Sequence, residues 1–384
     1  MTSKEKNTQS FFRLFLAIGM AICFFPFVLY RIRAGLPFLN SILYTFKYML
    51  WIIAVYILVL PIHEAGHLIC GLLSGYSFVS FNFLGLTLLK KEGKIKLKRF
   101  GLIPSPVLCT MKPPEWAEKA PYRLYTLGGI ILNSVCALIS LVCCLYVPAF
   151  SRAALHLSSF ALLNAYLILI NIVPNNYSDG LVLKYTVNDP VAVRALWAQL
   201  TASALIAEGV NCLDYPEGLC SLPDNADYSN PVIALTDAIH TDPIMASHDF
   251  IEAACGISDV LIRSRDGLLP VTRASLVNEL LWIEIMNKNR PEVISNLKSS
   301  EFLSMRKAMS SRPEIIRCLY AEMLSEGKET EAIKQLQKLD IISMKYPYPQ
   351  IIDEERYLMD LTRRHFSKNE YNENTQDSDN NSQE

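Results

Sequence analysis

The sequence lacks the charge pattern of a nucleic-acid-binding protein. Its 384 residues contain 36 Lys and Arg against 37 Asp and Glu, which gives a formal net charge of -1. No basic helix with interleaved aromatic residues is present, and clustered positive charge is the usual footprint of DNA and RNA binding. We therefore expect no nucleic-acid partner.

Paired cysteines are also lacking. The ten cysteines form no Cys-x-x-Cys pair, and several of them lie in apolar runs. This spacing favours reduced cysteines that pack in the interior over a disulfide framework.

Charged residues are scarce up to about residue 186. Four apolar segments in that half reach or approach the roughly 20 residues that a membrane-spanning helix needs. They are Leu14 to Tyr30, Ser41 to Leu73, Leu124 to Phe150 and Ala153 to Val173. The rest of the chain mixes acidic and basic residues at the density of a globular protein. We expect a multi-pass membrane half followed by a soluble half.

Both termini are expected in the cytoplasm. The first apolar segment follows Lys4, Lys6 and Arg13 as in a signal peptide, but Tyr30 to Arg33 offers no small-residue cleavage site, so we expect a retained signal anchor. The connection between the second and third spans carries most of the Lys and Arg residues of this half, and the positive-inside rule places such a loop on the cytoplasmic side. The expected location is an integral, multi-pass protein of the cell membrane.

The basic loop has the pattern of a β-hairpin. Phe78 to Leu89 and Lys94 to Leu108 are rich in β-branched and aromatic residues, and they flank a turn that contains Glu92 and Gly93. Beyond Asp189, apolar residues recur at helical spacing. The clearest segment, Pro313 to Leu339, looks like a tetratricopeptide helix-turn-helix repeat.

The predicted fold class is therefore an α-helical polytopic membrane protein with a small β-hairpin, followed by a soluble all-α helical-hairpin domain. We predict four regions: a signal-anchor span and loop (1–40), a membrane core (41–186), a cytoplasmic α-helical domain (187–366) and a disordered tail (367–384). The tail is assigned because it is polar and rich in Asn, Asp and Glu.

The stretch PIHEAGHL, residues 61–68, places ionisable side chains in one of the most apolar segments. His63 and His67 are four positions apart, so a helix projects both imidazoles from one face, and this spacing suits two nitrogen ligands of one Zn²⁺. Glu64 is rotated by about 100° from His63 and is placed as a base for a water molecule. Ionisable residues at bilayer depth are costly and usually mark a site. Gly66 lets a neighbouring helix or a substrate backbone approach closely.

A catalytic zinc site normally has three protein ligands. The strongest candidate for the third is Asp179, which directly follows the fourth apolar segment. That segment and the His63 segment both run from outside to inside, so the two motifs can meet within the inner leaflet.

Together, HEAGH and NIVPNNYSDG resemble the site-2 protease family of intramembrane zinc metalloproteases. The second motif of that family reads Asn-x-x-Pro-x-x-x-x-Asp-Gly, and this chain has Asn171, Pro174, Asp179 and Gly180 at the four defined positions. Gly129 to Asn133 resembles the Gly-Pro-x-x-Asn stretch of the family. The resemblance covers residues 41–186.

Three departures accompany the resemblance. Ile130 replaces the usual Pro, and Ser178 replaces the Leu that commonly precedes the Asp. No inserted domain resembling PDZ is present, so substrate selection must use another part of the chain. None of these changes removes a ligand.

The resemblance implies that His63, His67 and Asp179 hold Zn²⁺ while Glu64 handles the protons of peptide hydrolysis. It also implies that Asn171 and Asn133 donate hydrogen bonds to the substrate backbone or the developing oxyanion. The expected partners are a transmembrane or signal-peptide substrate, membrane lipid and a protein that docks on the cytoplasmic helical domain.

Two alternatives stay open. The chain could be a catalytically silent membrane scaffold that acts through its cytoplasmic helical domain. It could also be another membrane metalloprotease, such as one that trims prenylated C-termini, although such an enzyme should use a Glu or His ligand on a later helix.

Overall fold

The computed structural model describes residue 19 and residues 25–32, 38–91, 93–100, 107–117, 121–175 and 178–380. The fold is mostly helical with one small antiparallel sheet. It divides into two compact units. The first comprises Met1–Phe83 and Pro106–Val187, and the second comprises Leu84–Ser105 and Asn188–Glu384.

The first unit is built from long apolar helices. Residues 25–32 are helical, and they are followed by Phe38–Leu73 (α1), Tyr122–Cys144 (α2), Arg152–Ile172 (α3) and Asp179–Thr186 (α4). Helix α1 continues through Pro61. It packs on α3 where Val55 and Val59 meet Leu163 and Leu167, all four of them buried.

Among the described residues, four helices are long and apolar enough to cross a membrane, judged by length and composition alone. They are Ile42–Leu73, Tyr122–Cys144, Arg152–Ile172 and Pro190–Glu208. The first three coincide with expected spans. The expected span Leu14 to Tyr30 lies largely outside the described residues, and Pro190–Glu208 was expected in the soluble half.

Four strands replace the single expected hairpin. They are Ser77–Phe83 (β1), Leu86–Lys91 (β2), Lys94–Arg99 (β3) and Val107–Lys112 (β4), and they form one antiparallel sheet in the order β3-β2-β1-β4. Strands β2 and β3 pair across the expected turn, where Lys91 faces Lys94 and Gly93 has a φ of 76°.

The prediction of one continuous strand from Phe78 to Leu89 is wrong. A turn at Leu84 and Gly85, with φ values of 49° and 84°, divides it into two strands. Leucine rarely adopts a positive φ, so the sequence gives little sign of this turn. Strand β4 pairs with β1, with Cys109 opposite Phe81.

The second unit contains the remaining helices around a separate core. They are Pro190–Glu208 (α5), Pro231–Ile239 (α6), Asp242–Ala246 (α7), Phe250–Arg263 (α8), Pro270–Asn287 (α9), Pro291–Leu297 (α10), Ser300–Ala308 (α11), Pro313–Ser325 (α12), Glu329–Ser343 (α13) and Pro349–Asn380 (α14), with a 3₁₀ turn at Cys212–Asp214. Several begin with Pro, whose fixed φ suits the first helical position. Ile257, Trp282 and Ile315 are fully buried in the core.

Helices α12 and α13 form the expected helical hairpin. They are joined by a turn in which Gly327 has a φ of 67°, and Tyr320, Ala332 and Leu339 are buried in their shared cluster. The tetratricopeptide assignment stays a prediction. Helix α14 extends to Asn380, so residues 367–380 are helical where the composition predicts disorder, and the disorder of this polar tail also stays a prediction.

Candidate metal centre

His63 and His67 lie one turn apart on α1 and face the interior of the first unit. Their exposed fractions are 8% and 9%. The two Nε2 atoms are 3.3 Å apart. Two buried imidazole nitrogens this close together can bind the same ion or share one proton.

Asp179 reaches the same point from the start of α4. Its Oδ2 atom lies 3.3 Å from Nε2 of His63 and 3.5 Å from Nε2 of His67. Ser178 caps the helix, because its Oγ accepts a hydrogen bond from the Leu181 N–H at 3.1 Å. The cap fixes the first helical residue, which is Asp179.

The turn before α4 is tightly packed. The Ser178 hydroxyl donates to the Val173 carbonyl at 2.8 Å, and the Asn175 side-chain amide donates to the Ile170 carbonyl at 2.9 Å. A Cβ at Gly180 would lie 2.1 Å from the Ile172 carbonyl oxygen. Glycine is therefore required there, and the end of α3 and the start of α4 hold each other in place.

His63, His67 and Asp179 together form a group that could hold a metal ion. One ligand atom from each lies within 4.8 Å of the others. The buried Oδ2 atom of Asp179 has the two imidazole Nε2 atoms near it and makes no hydrogen bond of regular geometry to either, so its lone pairs are available to a shared ligand. The sequence prediction that these three residues meet agrees with this geometry.

The outer nitrogen of each imidazole has its own partner. Nδ1 of His67 lies 2.9 Å from the Tyr125 carbonyl oxygen, which can only accept, so Nδ1 carries the proton and Nε2 presents its lone pair to the centre. Nδ1 of His63 lies 3.3 Å from the Asn133 side-chain amide.

Asn133 is fully buried, and its Oδ1 atom has no partner. The Nδ2 atom of this amide faces Nδ1 of His63, and turning the amide over would offer Oδ1 as the acceptor that Nδ1–H needs when Nε2 of His63 holds a metal. Asn133 then supports His63 as the Tyr125 carbonyl supports His67.

Glu64, next to His63 in the chain, reaches from α1 to the sheet. Its Oε2 atom accepts a hydrogen bond from the Cys109 backbone N–H at 2.9 Å. Cys109 lies on β4, the edge strand of the sheet. The carboxylate is therefore held between the metal group and a strand edge.

Glycines bring α1 and α2 into direct backbone contact beside the centre. A Cβ at Gly66 would lie 2.2 Å from the Gly128 carbonyl oxygen, and one at Gly128 would lie 2.4 Å from the Gly66 carbonyl oxygen. The role expected for Gly66 is thus filled by a neighbouring helix.

The expected contact of Asn171 with substrate stays a prediction. The Asn171 side-chain amide donates to the Leu167 carbonyl of its own helix at 3.0 Å. Of the two asparagines predicted to contact substrate, Asn133 contacts a histidine and Asn171 contacts its own helix.

The sequence prediction missed Tyr125 and Cys109, which act through backbone groups and leave no side-chain signal. It also missed the capping role of Ser178, although a serine before Asp-Gly at the start of a helix is a readable cap.

Neither a protein-family model, a curated protein nor a solved structure matches this chain. The resemblance to the site-2 protease family therefore rests on the quoted motifs and stays a prediction.

Proposed function

We propose that this protein is an intramembrane zinc endopeptidase, which hydrolyses peptide bonds within or near the transmembrane segments of membrane-anchored polypeptides. The observation that carries the proposal is the His63, His67 and Asp179 group with Glu64 beside it, in which both histidines and the glutamate lie on a helix apolar enough to cross a membrane. A buried two-nitrogen, one-oxygen donor set is typical of catalytic zinc sites.

The donor spacing fits Zn²⁺. Ligands at about 2.0–2.1 Å in a tetrahedron lie about 3.3–3.4 Å apart. The three separations in this group are 3.3, 3.3 and 3.5 Å. His63, His67 and Asp179 would therefore hold the ion. When bound, zinc supplies Lewis acidity and lowers the pKa of a water molecule towards about 7.

The residues of the chain then have separate tasks. Glu64, the one carboxylate of the HEAGH motif, takes a proton from the attacking water and returns it to the leaving amine. The Cys109 N–H holds that carboxylate in place between steps. Tyr125 and Asn133 keep the His67 and His63 rings turned towards the centre.

The substrate must be extended at the cleavage site, because a helix hides its carbonyls in its own hydrogen bonds. Strand β4 supports this step, since it is an edge strand and its Cys109 N–H lies against Glu64. A substrate segment that adds to this edge would pass directly beside the catalytic carboxylate.

The helical domain is proposed to dock a partner or a substrate tail. The second unit contains a cavity of about 460 Å³ lined by apolar residues and carboxylates, including Asp242, Glu279 and Glu355. A cavity of this size accommodates a short peptide segment.

The test compares the membrane peptides of cells that carry the wild type with those of cells that carry Glu64→Gln. We expect a small set of transmembrane peptides to accumulate in the Glu64→Gln cells, because the variant keeps the three ligands and loses the base. Zinc content of purified His63→Ala and Asp179→Ala proteins is measured in parallel, and both should fall well below that of the wild type.

The outcomes separate the alternatives. Identical peptide sets with zinc still bound would support the silent membrane scaffold. Zinc retained by Asp179→Ala would remove Asp179 as the third ligand, and with it the proposed type of site.

A further inference from the structure

The hairpin formed by β2 and β3 has one apolar face that is open to its surroundings. The register pairs Leu88 with Leu97 and Lys90 with Ile95, and alternate pairs share a face. Four large apolar side chains lie on that face, and their exposed fractions are 50% for Leu86, 42% for Leu88, 65% for Ile95 and 66% for Leu97. We name these four residues the hairpin apolar face.

Positive charge surrounds the hairpin apolar face. Lys90 and Arg99 share the face, because they pair with Ile95 and Leu86. Four further cations lie on the other side of the same two strands: Lys91, Lys94, Lys96 and Lys98. The sequence from Leu84 to Phe100 has Glu92 as its single acidic residue.

The hairpin is tied to the membrane half of the chain on both sides. Strand β1 begins at Ser77, shortly after the membrane-capable helix that ends at Leu73, and the next membrane-capable helix begins at Tyr122. Only residues 74–76 separate the first of these helices from β1, which leads directly into the hairpin, so the hairpin starts close to the bilayer surface.

We propose that the hairpin binds the anionic lipid surface of the membrane that holds the first unit. The hairpin apolar face enters the boundary between headgroups and acyl chains, and Lys90 and Arg99 contact lipid phosphates. The four remaining cations lie within about one Debye length, roughly 8–10 Å, of the charged surface and add to the attraction.

The mixture of side chains favours lipid over other anionic partners. A nucleic acid would be met by cations and stacking aromatics, whereas this face is built of Leu and Ile. Aliphatic side chains flanked by Lys and Arg are typical of segments that lie in the membrane interface. The inference depends on the membrane location of the first unit and not on proteolysis.

The test places a tryptophan on either face of β3. Leu97→Trp and its neighbour Lys98→Trp point to opposite faces of the hairpin, and both positions are exposed. The full-length proteins are placed in nanodiscs of phosphatidylcholine, with or without phosphatidylglycerol, that contain brominated acyl chains. The wild-type signal, which comes from four native Trp residues, is subtracted.

Quenching of Leu97→Trp should be at least about twofold that of Lys98→Trp, and it should increase when the anionic lipid is present. Equal quenching at the two positions would overturn the proposal. So would quenching of Leu97→Trp that is the same in both lipid mixtures.

A charge-matched pair of variants locates the headgroup contact. In the Leu97→Trp background, Lys90→Gln with Arg99→Gln should abolish most of the anionic-lipid increment, and Lys91→Gln with Lys98→Gln should reduce it less. If both pairs of variants lose the increment equally, Lys90 and Arg99 do not contact lipid phosphates in the proposed specific way. The measurement is repeated in the Glu64→Gln background, which lacks the proposed peptidase activity. Lipid binding by the hairpin and peptidase activity are thereby tested separately, and either proposal can fail without the other.

Discussion

At the scale of single residues, the space beside His63 decides the geometry of the centre. The imidazole lies over the Cα of Gly129, so that a Cβ at this position would meet the ring Cε1, Nδ1 and Nε2 atoms at 2.4, 2.5 and 2.5 Å. These atoms belong to a buried ring with little room to move. Gly129 is thus part of the site although it offers no ligand.

Gly129→Ala should lower zinc affinity by about 10- to 100-fold, because the added methyl displaces the His63 ring from its orientation. Chelator competition measures the affinity, and circular dichroism checks that helix content is kept. The control is Gly256→Ala, whose Cβ would meet only Ile244 Cδ1 at an ordinary 3.6 Å. If the two variants bind zinc equally well, the close approach of Gly129 to the His63 ring does not affect zinc affinity.

Asn133 can be tested for two different roles. If it supports His63, Asn133→Leu should lower zinc affinity by about 10- to 100-fold, while Asn133→Asp, which keeps an acceptor, should bind zinc nearly as well as the wild type. If it acts on the substrate instead, Asn133→Leu would keep its zinc and lose only cleavage. Measuring both zinc affinity and cleavage distinguishes the supporting role, which the geometry favours, from the oxyanion role that the sequence resemblance implies.

At the scale of elements, the short helix α4 depends on its first turn to present Asp179. The Ser178 hydroxyl accepts hydrogen bonds from the Asn175 N–H at 3.0 Å and the Leu181 N–H at 3.1 Å, and it donates to the Val173 carbonyl at 2.8 Å and, at a longer 3.3 Å, to the Asn175 carbonyl. A leucine, which the related motif carries, would make none of them. The departure at this position therefore changes how the ligand is held and not whether it is present.

Ser178→Ala should destabilise the start of α4 by about 1 kcal/mol and weaken zinc binding several-fold, because Asp179 is no longer fixed. Ser178→Asn keeps a good capping residue and should bind zinc close to the wild type. Isothermal titration or chelator competition gives the comparison. Equal weakening in both variants would mean that the contact to Val173, and not the cap, is what matters.

Much of this could be predicted from the sequence because two strong local signals coincide with long apolar runs. The spacing of His63 and His67 on a helix, and the position of Asp179 after the next apolar segment but one, predict the group of three candidate ligands that the fold brings together. What could not be predicted depends on the approach of elements distant in sequence: the Tyr125 carbonyl behind His67, the Cys109 N–H on Glu64 and the direct contact of α1 with α2. Backbone groups carry no residue-specific signal. The extra strand boundary was missed because it depends on a leucine at positive φ.

At the scale of the whole molecule, the second unit has its own titrating group. Desolvation by the surrounding protein and, to a lesser extent, the charges of Glu279 and Glu314 together raise the pKa of Asp242 to about 7. Asp242 lines the cavity described above, so it is accessible to solvent although protein atoms lie around it. Folding raises the pKa of the Asp242 carboxyl from 3.8 to about 7. Its contribution to stability is therefore fully present below pH 3.8 and is lost as the pH rises through about 7.

Asp242→Asn should therefore raise the unfolding temperature of the second unit at pH 8 by a few degrees, which corresponds to about 1 kcal/mol after allowance for solvent in the cavity. At pH 5 the gain should be smaller, since the wild-type carboxyl is already neutral. Thermal unfolding of the purified protein at the two pH values gives the measurement. Asp353→Asn, at an exposed carboxylate outside the cavity, serves as the control and should show no such difference.

The three donor atoms of the centre come from α1 and α4, two helices far apart along the chain. An ion that binds all three joins those helices, so its binding energy adds to the stability of the folded chain, by about 4 kcal/mol when free metal exceeds its dissociation constant a thousandfold. Cells short of zinc would then hold more molecules with an opened α4, which quality-control proteases degrade sooner. For a zinc peptidase of the proposed kind, the amount of the protein, and not only its activity, should follow the supply of the metal.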